Sequence, residues 1–207
     1  MFPIIPANSV TAASGNDEGI FGYGTAAGTK VSMTNLVSNA GVVASDVTGV
    51  GTAREALAAT QYGGDKGIFG FGSTGGAGGR VSMTNLVSNA GVVATDTAGV
   101  GTSRNELAAC SYGEDKGIFG YGLITPVTTI TNLVSNAGVI ATDTAGVGTA
   151  RRDLAACEFG GDKGIFGYGF VSGALSMTNL VSNAGVVATD TAGVGTARGY
   201  LATCSFN

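Results

Sequence analysis

There is no histidine in this 207-residue chain and no tryptophan, and only 12% of its residues are charged. Without an imidazole, a Ser-His or Cys-His nucleophile pair cannot be assembled. No catalytic residue is expected, and the chain is read as something other than an enzyme. Lysine and arginine number 10 against 14 acidic residues, a net charge of −4 with no basic cluster. A phosphate backbone would be repelled, so nucleic acid is not an expected partner. No apolar run approaches the roughly 18 residues of a membrane helix, and membrane insertion is not expected. The opening residues Met1, Phe2, Pro3, Ile4, Ile5 and Pro6 show neither the positive n-region nor the apolar h-region of a signal peptide. Cysteine is scarce: Cys110, Cys157 and Cys204 are odd in number and lack metal-ligand spacing. They recur 47 residues apart at one repeat position, where Thr60 stands in the first copy. Small buried residues are expected there rather than disulfides, in keeping with a reducing cytoplasm. No cofactor and no metal is expected.

What is abundant is glycine, at 37 residues, beside 44% hydrophobic residues. That combination is not disorder, which is poor in apolar residues and rich in charge. It signals tight turns and close backbone approach. The cause is a tandem repeat. Gly-Ile-Phe-Gly begins at Gly19, Gly67, Gly117 and Gly164, spaced by 48, 50 and 47 residues. Thr-Asn-Leu-Val-Ser-Asn-Ala-Gly-Val begins at Thr34, Thr84, Thr131 and Thr178, and Gly-Val-Gly-Thr at Gly49, Gly99, Gly146 and Gly193. Each copy then reaches Arg54, Arg104, Arg151 or Arg198, two changing residues, and Leu57, Leu107, Leu154 or Leu201.

Each unit divides into four short segments with strand character. In the first copy, segment A is residues 20–23, aromatic and bounded by glycine. Segment B, 31–37, has period-2 character. Segment C, 41–46, is β-branched and ends in turn chemistry. Segment D, 56–62, is alanine-rich but too short for a stable helix. Ser-Asn-Ala-Gly between B and C and Gly-Gly-Asp-Lys-Gly between D and the next A read as hairpin turns.

The run from Thr52 to Gly72, with Arg54, Leu57, Ala58, Ala59, Tyr62, Gly63, Gly64, Asp65, Lys66, Ile68, Phe69 and Phe71, resembles a kelch repeat. The resemblance covers nearly all of residues 15–207, with Gly-x-Gly where kelch units carry a glycine doublet, and without their tryptophan. It implies an all-β fold: a small β-propeller of four four-stranded blades, with the A strand innermost and the Leu-Ala-Ala strand outermost. The alternatives are a β-solenoid or blades completed in an oligomer. The near-identical units also resemble tandem kelch-like proteins of tailed bacteriophages and environmental sequences. That implies a structural or adhesion component of a virion, made in the host cytoplasm, with other virion proteins as partners and homo-oligomerisation. An extracellular or cell-surface location is the alternative. Residues 1–14 are read as an extended arm framed by Pro3 and Pro6, with Phe2, Ile4 and Ile5 docking into a partner. The stretch 9–19 aligns loosely with 57–67, a degenerate D-like strand.

Recurring polar residues read as fold rather than chemistry. Asp46, Asp96, Asp143 and Asp190 end segment C in every unit, as Asx-type turns do. The four arginines are expected to donate to loop carbonyls, and Asp65, Asp115 and Asp162 to sit in solvated turns beside lysine. Carboxylate acid–base chemistry stays formally open, and the Gly-rich A segments lack the order of a phosphate loop. The units differ from one another in the A–B loops and in the pair after each arginine. In an alternating meander both emerge at the same end. This defines an expected recognition face: Thr25, Lys30, Arg80, Tyr121, Leu123, Ile124, Phe170 and Tyr200. The competing function is a carbohydrate-binding propeller for surface glycans, with Tyr62, Tyr112 and Phe159 as its aromatics. Ice binding through Thr95, Asp96 and Thr97 would need the flat array of a solenoid.

Overall fold

The computed structural model describes residues 17–76 and 78–206. The expected arm, with Phe2, Ile4 and Ile5, lies outside the described residues. Within them the chain is all-β, and its strands build small antiparallel sheets. The first unit holds β1 (Gly19–Gly22), β2 (Thr25–Ala26), β3 (Thr29–Lys30) and β4 (Thr34–Val37). The second holds β5 (Ala58–Tyr62), β6 (Lys66–Gly70) and β7 (Thr84–Val87). The third holds β8 (Ala108–Tyr112), β9 (Lys116–Gly120) and β10 (Thr131–Val134). The fourth holds β11 (Ala155–Phe159), β12 (Lys163–Phe170) and β13 (Ala174–Val181). Among the described residues no sheet closes into a ring.

Each later sheet is a three-stranded meander in the order D–A–B, its D strand being the end of the preceding sequence repeat. The D–A hairpin keeps one register in every copy, Tyr62 opposite Lys66 and Ala58 opposite Gly70 in the second unit. Its loop carries Gly63 and Gly64 at φ 62° and 78°, a left-handed pair that glycine adopts without a Cβ clash. The third unit has Glu114 at the second of these positions, at φ 69°. Tyr23, Phe71 and Tyr121 follow strand A directly and Tyr168 sits at the same place within β12, each at φ 62–64°. That turn swings the ring beneath the next conserved arginine.

Three expectations are corrected here. Segment C is not a full strand. It meets B through isolated bridges such as Val37 to Val43 and Thr34 to Val47. The first valine of each copy, Val42, Val92, Val139 or Val186, is exposed, while Val93, Ile140 and Val187 pack partly against the core. Second, the Leu-Ala-Ala strand does not lie on the outside. D strands of successive units pack beside one another, and Thr60, Gln61, Cys110, Ser111, Cys157, Glu158, Cys204 and Ser205 line one shared hollow. Third, the cysteines are free but not uniformly buried: Cys110 is buried, Cys157 half-buried and Cys204 exposed. Burial lifts the Cys110 thiol to about 12, and coverage falls along the stack.

The core lies in the seams between units. In strand A, isoleucine and phenylalanine point to opposite faces, and in the interior units both are covered: Ile118 and Phe119 are fully buried. Each phenylalanine enters a hole made by a glycine of the preceding unit. A Cβ on Gly22, Gly70 or Gly120 would lie 2.9, 2.8 or 2.7 Å from the ring of Phe69, Phe119 or Phe166. The same rings meet Tyr23, Phe71 and Tyr121 at centroid distances of 5.2 Å. A fully buried side chain of this size contributes about 1.5–3 kcal/mol, and the seam repeats it three times.

Candidate functional site

The recurring charges are consumed in the seams. Arg54, Arg104 and Arg151 are fully buried. Their guanidinium carbons stack 4.2, 4.0 and 4.3 Å from the rings of Tyr23, Phe71 and Tyr121 of their own repeat. Each Nε donates forward, to the carbonyl of Phe71, Tyr121 or Tyr168, at 2.9, 2.9 and 2.7 Å. The Nη2 groups of Arg54 and Arg151 donate to Asn85 and Asn179 at 2.7 Å. In the middle seam the corresponding atoms, Arg104 Nη2 and Asn132 Oδ1, are buried without a hydrogen-bond partner. Burial pulls the Arg104 guanidinium down to about 10, opposed by Asp143. Donation to carbonyls was expected of these residues, and stacking on these rings adds to it.

The aspartates are not local turns. Asp96, Asp143 and Asp190 accept from the backbone N–H and the hydroxyl of Thr52, Thr102 and Thr149 in the preceding unit. The hydroxyl distances are 2.6, 2.6 and 2.7 Å. Burial alone would raise these carboxyls, but the threonine and asparagine hydrogen bonds outweigh it and hold them below the ordinary range.

The non-recurring residues gather along one edge of the stack. The second residue after each arginine, Ala56, Glu106, Asp153 and Tyr200, has φ between 51° and 57°. Their backbones form a spine: Glu106 N–H donates to Ala56, Asp153 to Glu106 and Tyr200 to Asp153, at 2.9–3.0 Å. The spine fixes the backbone and leaves the side chains free to differ. Around it the expected recognition residues assemble. Thr25 Oγ1 and Lys30 Nζ reach Glu55 at 2.6 and 3.1 Å. Arg80 donates to Asn105 at 2.9 Å and to the carbonyl of Ile124 at 3.4 Å. Leu123 bridges Asn105 and Val127. Arg152 pairs with Glu106 and lies 5.7 Å from the Phe170 ring. Tyr200 is 77% exposed. The strip runs from polar and charged side chains at Thr25 and Lys30 to the aromatic rings of Phe170 and Tyr200 beside the Arg152, Glu106 and Asp153 charges.

Tyr121 is removed from this face: it is fully buried, its hydroxyl donates to the Val147 carbonyl, and Arg151 covers its ring. Tyr62 and Tyr112 are buried too, against Gly138 and Gly185 of the next units, so they cannot line sugar pockets. Glu55, Glu106 and Asp153 were legible only as members of varying pairs. Asp153 is the distinctive one, its carboxyl raised by burial and by Glu106 against the pull of Arg152.

The opposite end is uniform. Asp65, Asp115 and Asp162 pair with Lys66, Lys116 and Lys163 and accept from Asn89, Asn136 and Asn183. Among the described residues no group of metal-ligating side chains converges. No protein-family model matches the chain, and no curated protein matches it significantly.

Proposed function

We propose that the chain is a non-enzymatic structural or adhesion protein, a tailed-phage virion component of the decoration, neck or tail-fibre-associated kind. Its kelch-like units are blades of a propeller completed between copies. The observation that carries this reading is a division among polar side chains. The recurring arginines and aspartates hold one unit on the next, while the non-recurring side chains sit together on one strip. An active site is normally a unique constellation of reactive groups, whereas a rigid repeating scaffold presenting one varied surface suits recognition. The partners are other virion or assembly proteins, met through the strip.

The test is immunogold labelling of tailed particles with antibody to the chain, joined to a variant with Arg80, Leu123 and Phe170 all replaced by alanine. Labelling at regular sites, lost in the triple variant while its circular dichroism is unchanged, is the expected result. Antigen found only outside particles overturns the virion reading. Saturable glycan binding at about one site per unit would replace it with the lectin reading.

A further inference from the structure

Each seam has two halves, and each end of the stack displays one of them unmatched. On the first unit Phe21 is 63% exposed, although Phe69, Phe119 and Phe166 at the same position are buried. Asp46 accepts only from Asn35 among the described residues, whereas its counterparts also accept from a preceding threonine. Asn35 Oδ1 and the Tyr23 carbonyl receive no arginine there, while Asn85, Asn179 and the carbonyls of Phe71, Tyr121 and Tyr168 do. Among the described residues strand β1 pairs with β4 alone.

The last unit is the mirror of this. A Cβ on Gly167 would meet only Thr178, with no ring in its hole. Arg198 is already stacked 4.2 Å from Tyr168 and held by the Thr196 carbonyl, as the interior arginines are. Its Nε and Nη2, and the N–H and hydroxyl of Thr196, have no acceptor among the described residues. Residues 201–206, the fourth D segment, lie against the third D strand through Thr203 and Cys157 but pair with no A strand.

We propose that the last unit of one copy docks on the first unit of a second copy, head to tail, repeating the internal seam. Phe21 of the second copy fills the hole over Gly167. Arg198 donates to the Tyr23 carbonyl and Asn35, and Thr196 donates to Asp46. The D segment adds to β1 as an edge strand, Ala202 opposite Gly22 and Ser205 opposite Gly19, the register of the interior hairpins. Three internal copies of this contact supply its geometry, and the donors at one end match the acceptors at the other. The interface is heterologous: it closes a ring or extends a filament according to the rotation per unit. This inference deepens the reading of blades completed between copies.

The experiment uses the 207-residue chain and two exposed-site variants, Phe21→Glu and Arg198→Glu, followed by sedimentation velocity over a concentration series. The wild type is expected to associate, and each variant alone to associate at least about 30-fold more weakly, as loss of an interface anchor requires. Each variant keeps one intact face. An equimolar mixture is therefore expected to form a discrete dimer at twice 20.2 kDa and nothing larger. A wild type that stays monomeric overturns the proposal, whether residues 1–16 or its own last unit covers β1. So does association unaffected by both substitutions, or a mixture that stays monomeric. Particle labelling is independent of these outcomes, so the virion reading can stand or fall separately.

Discussion

Phe21 and Phe119 occupy the same place in the same tetrapeptide, yet one is 63% exposed and the other fully buried. Gly120 and Gly167 differ likewise: one faces a ring 2.7 Å from where a Cβ would stand, the other only the Thr178 methyl at 3.3 Å. Residue, strand and register are shared, so burial here belongs to the neighbour and not to the residue. Among the described residues, interior units are held on both faces and terminal units on one.

The sharpest way to break this comparison is to truncate the ring. Phe119→Ala is expected to cost about 3–5 kcal/mol in urea unfolding of dilute protein, and Phe21→Ala less than about 0.5 kcal/mol. Equal losses would mean that the first unit is covered in solution. Next comes overpacking. Gly120→Ala should destabilise by about 1–3 kcal/mol, while Gly167→Ala, which asks only the Thr178 methyl to give way, should change stability by less than about 1 kcal/mol.

Asp143→Ala is expected to lose about 1–2 kcal/mol and Asp46→Ala close to nothing, read by the same unfolding midpoint. The pH dependence has a definite sign. Asp96, Asp143 and Asp190 have folded values below the ordinary 3.8, so the unfolded chain binds more protons in that window. Their stabilisation is complete above that value and is lost as pH falls through the lower folded values. The melting temperature should drop across that range, and less steeply in Asp143→Ala. The smallest effect concerns a single loop. Glu114→Gly should stabilise by about 0.5–1 kcal/mol by removing a side chain from φ 69°.

Much of this arrangement was legible in the residues. The repeat, the D–A hairpin and the meander are local, and local turn chemistry specifies them. The A–B loops and the pairs after each arginine do lie together, with the ion pairs of Glu55 and Arg152 among them, but the four-strand alternation that suggested it does not hold, since segment C is not a full strand. What was not legible is which strand edge and which face meet the next unit. The placement of the Leu-Ala-Ala strand, the cross-unit targets of Asp96 and Asp143, and the burial of Tyr121 all depend on stacking. Stacking leaves no periodicity inside one copy. Segment C looked like a strand because its valines are β-branched, but it meets B only through isolated bridges, and its first valine in each copy faces water.

The glycine hole and phenylalanine knob have a consequence for chain length. Since every seam uses the same parts, in-frame loss of residues 67–116 would bring Phe119 onto Gly22, Arg54 onto the Tyr121 carbonyl and Thr52 onto Asp143, with no junction foreign to the parent. The shortened polypeptide would keep the same first and last surfaces. Unequal recombination between copies could therefore lengthen or shorten such a protein in whole modules, changing its reach while leaving its ends interchangeable.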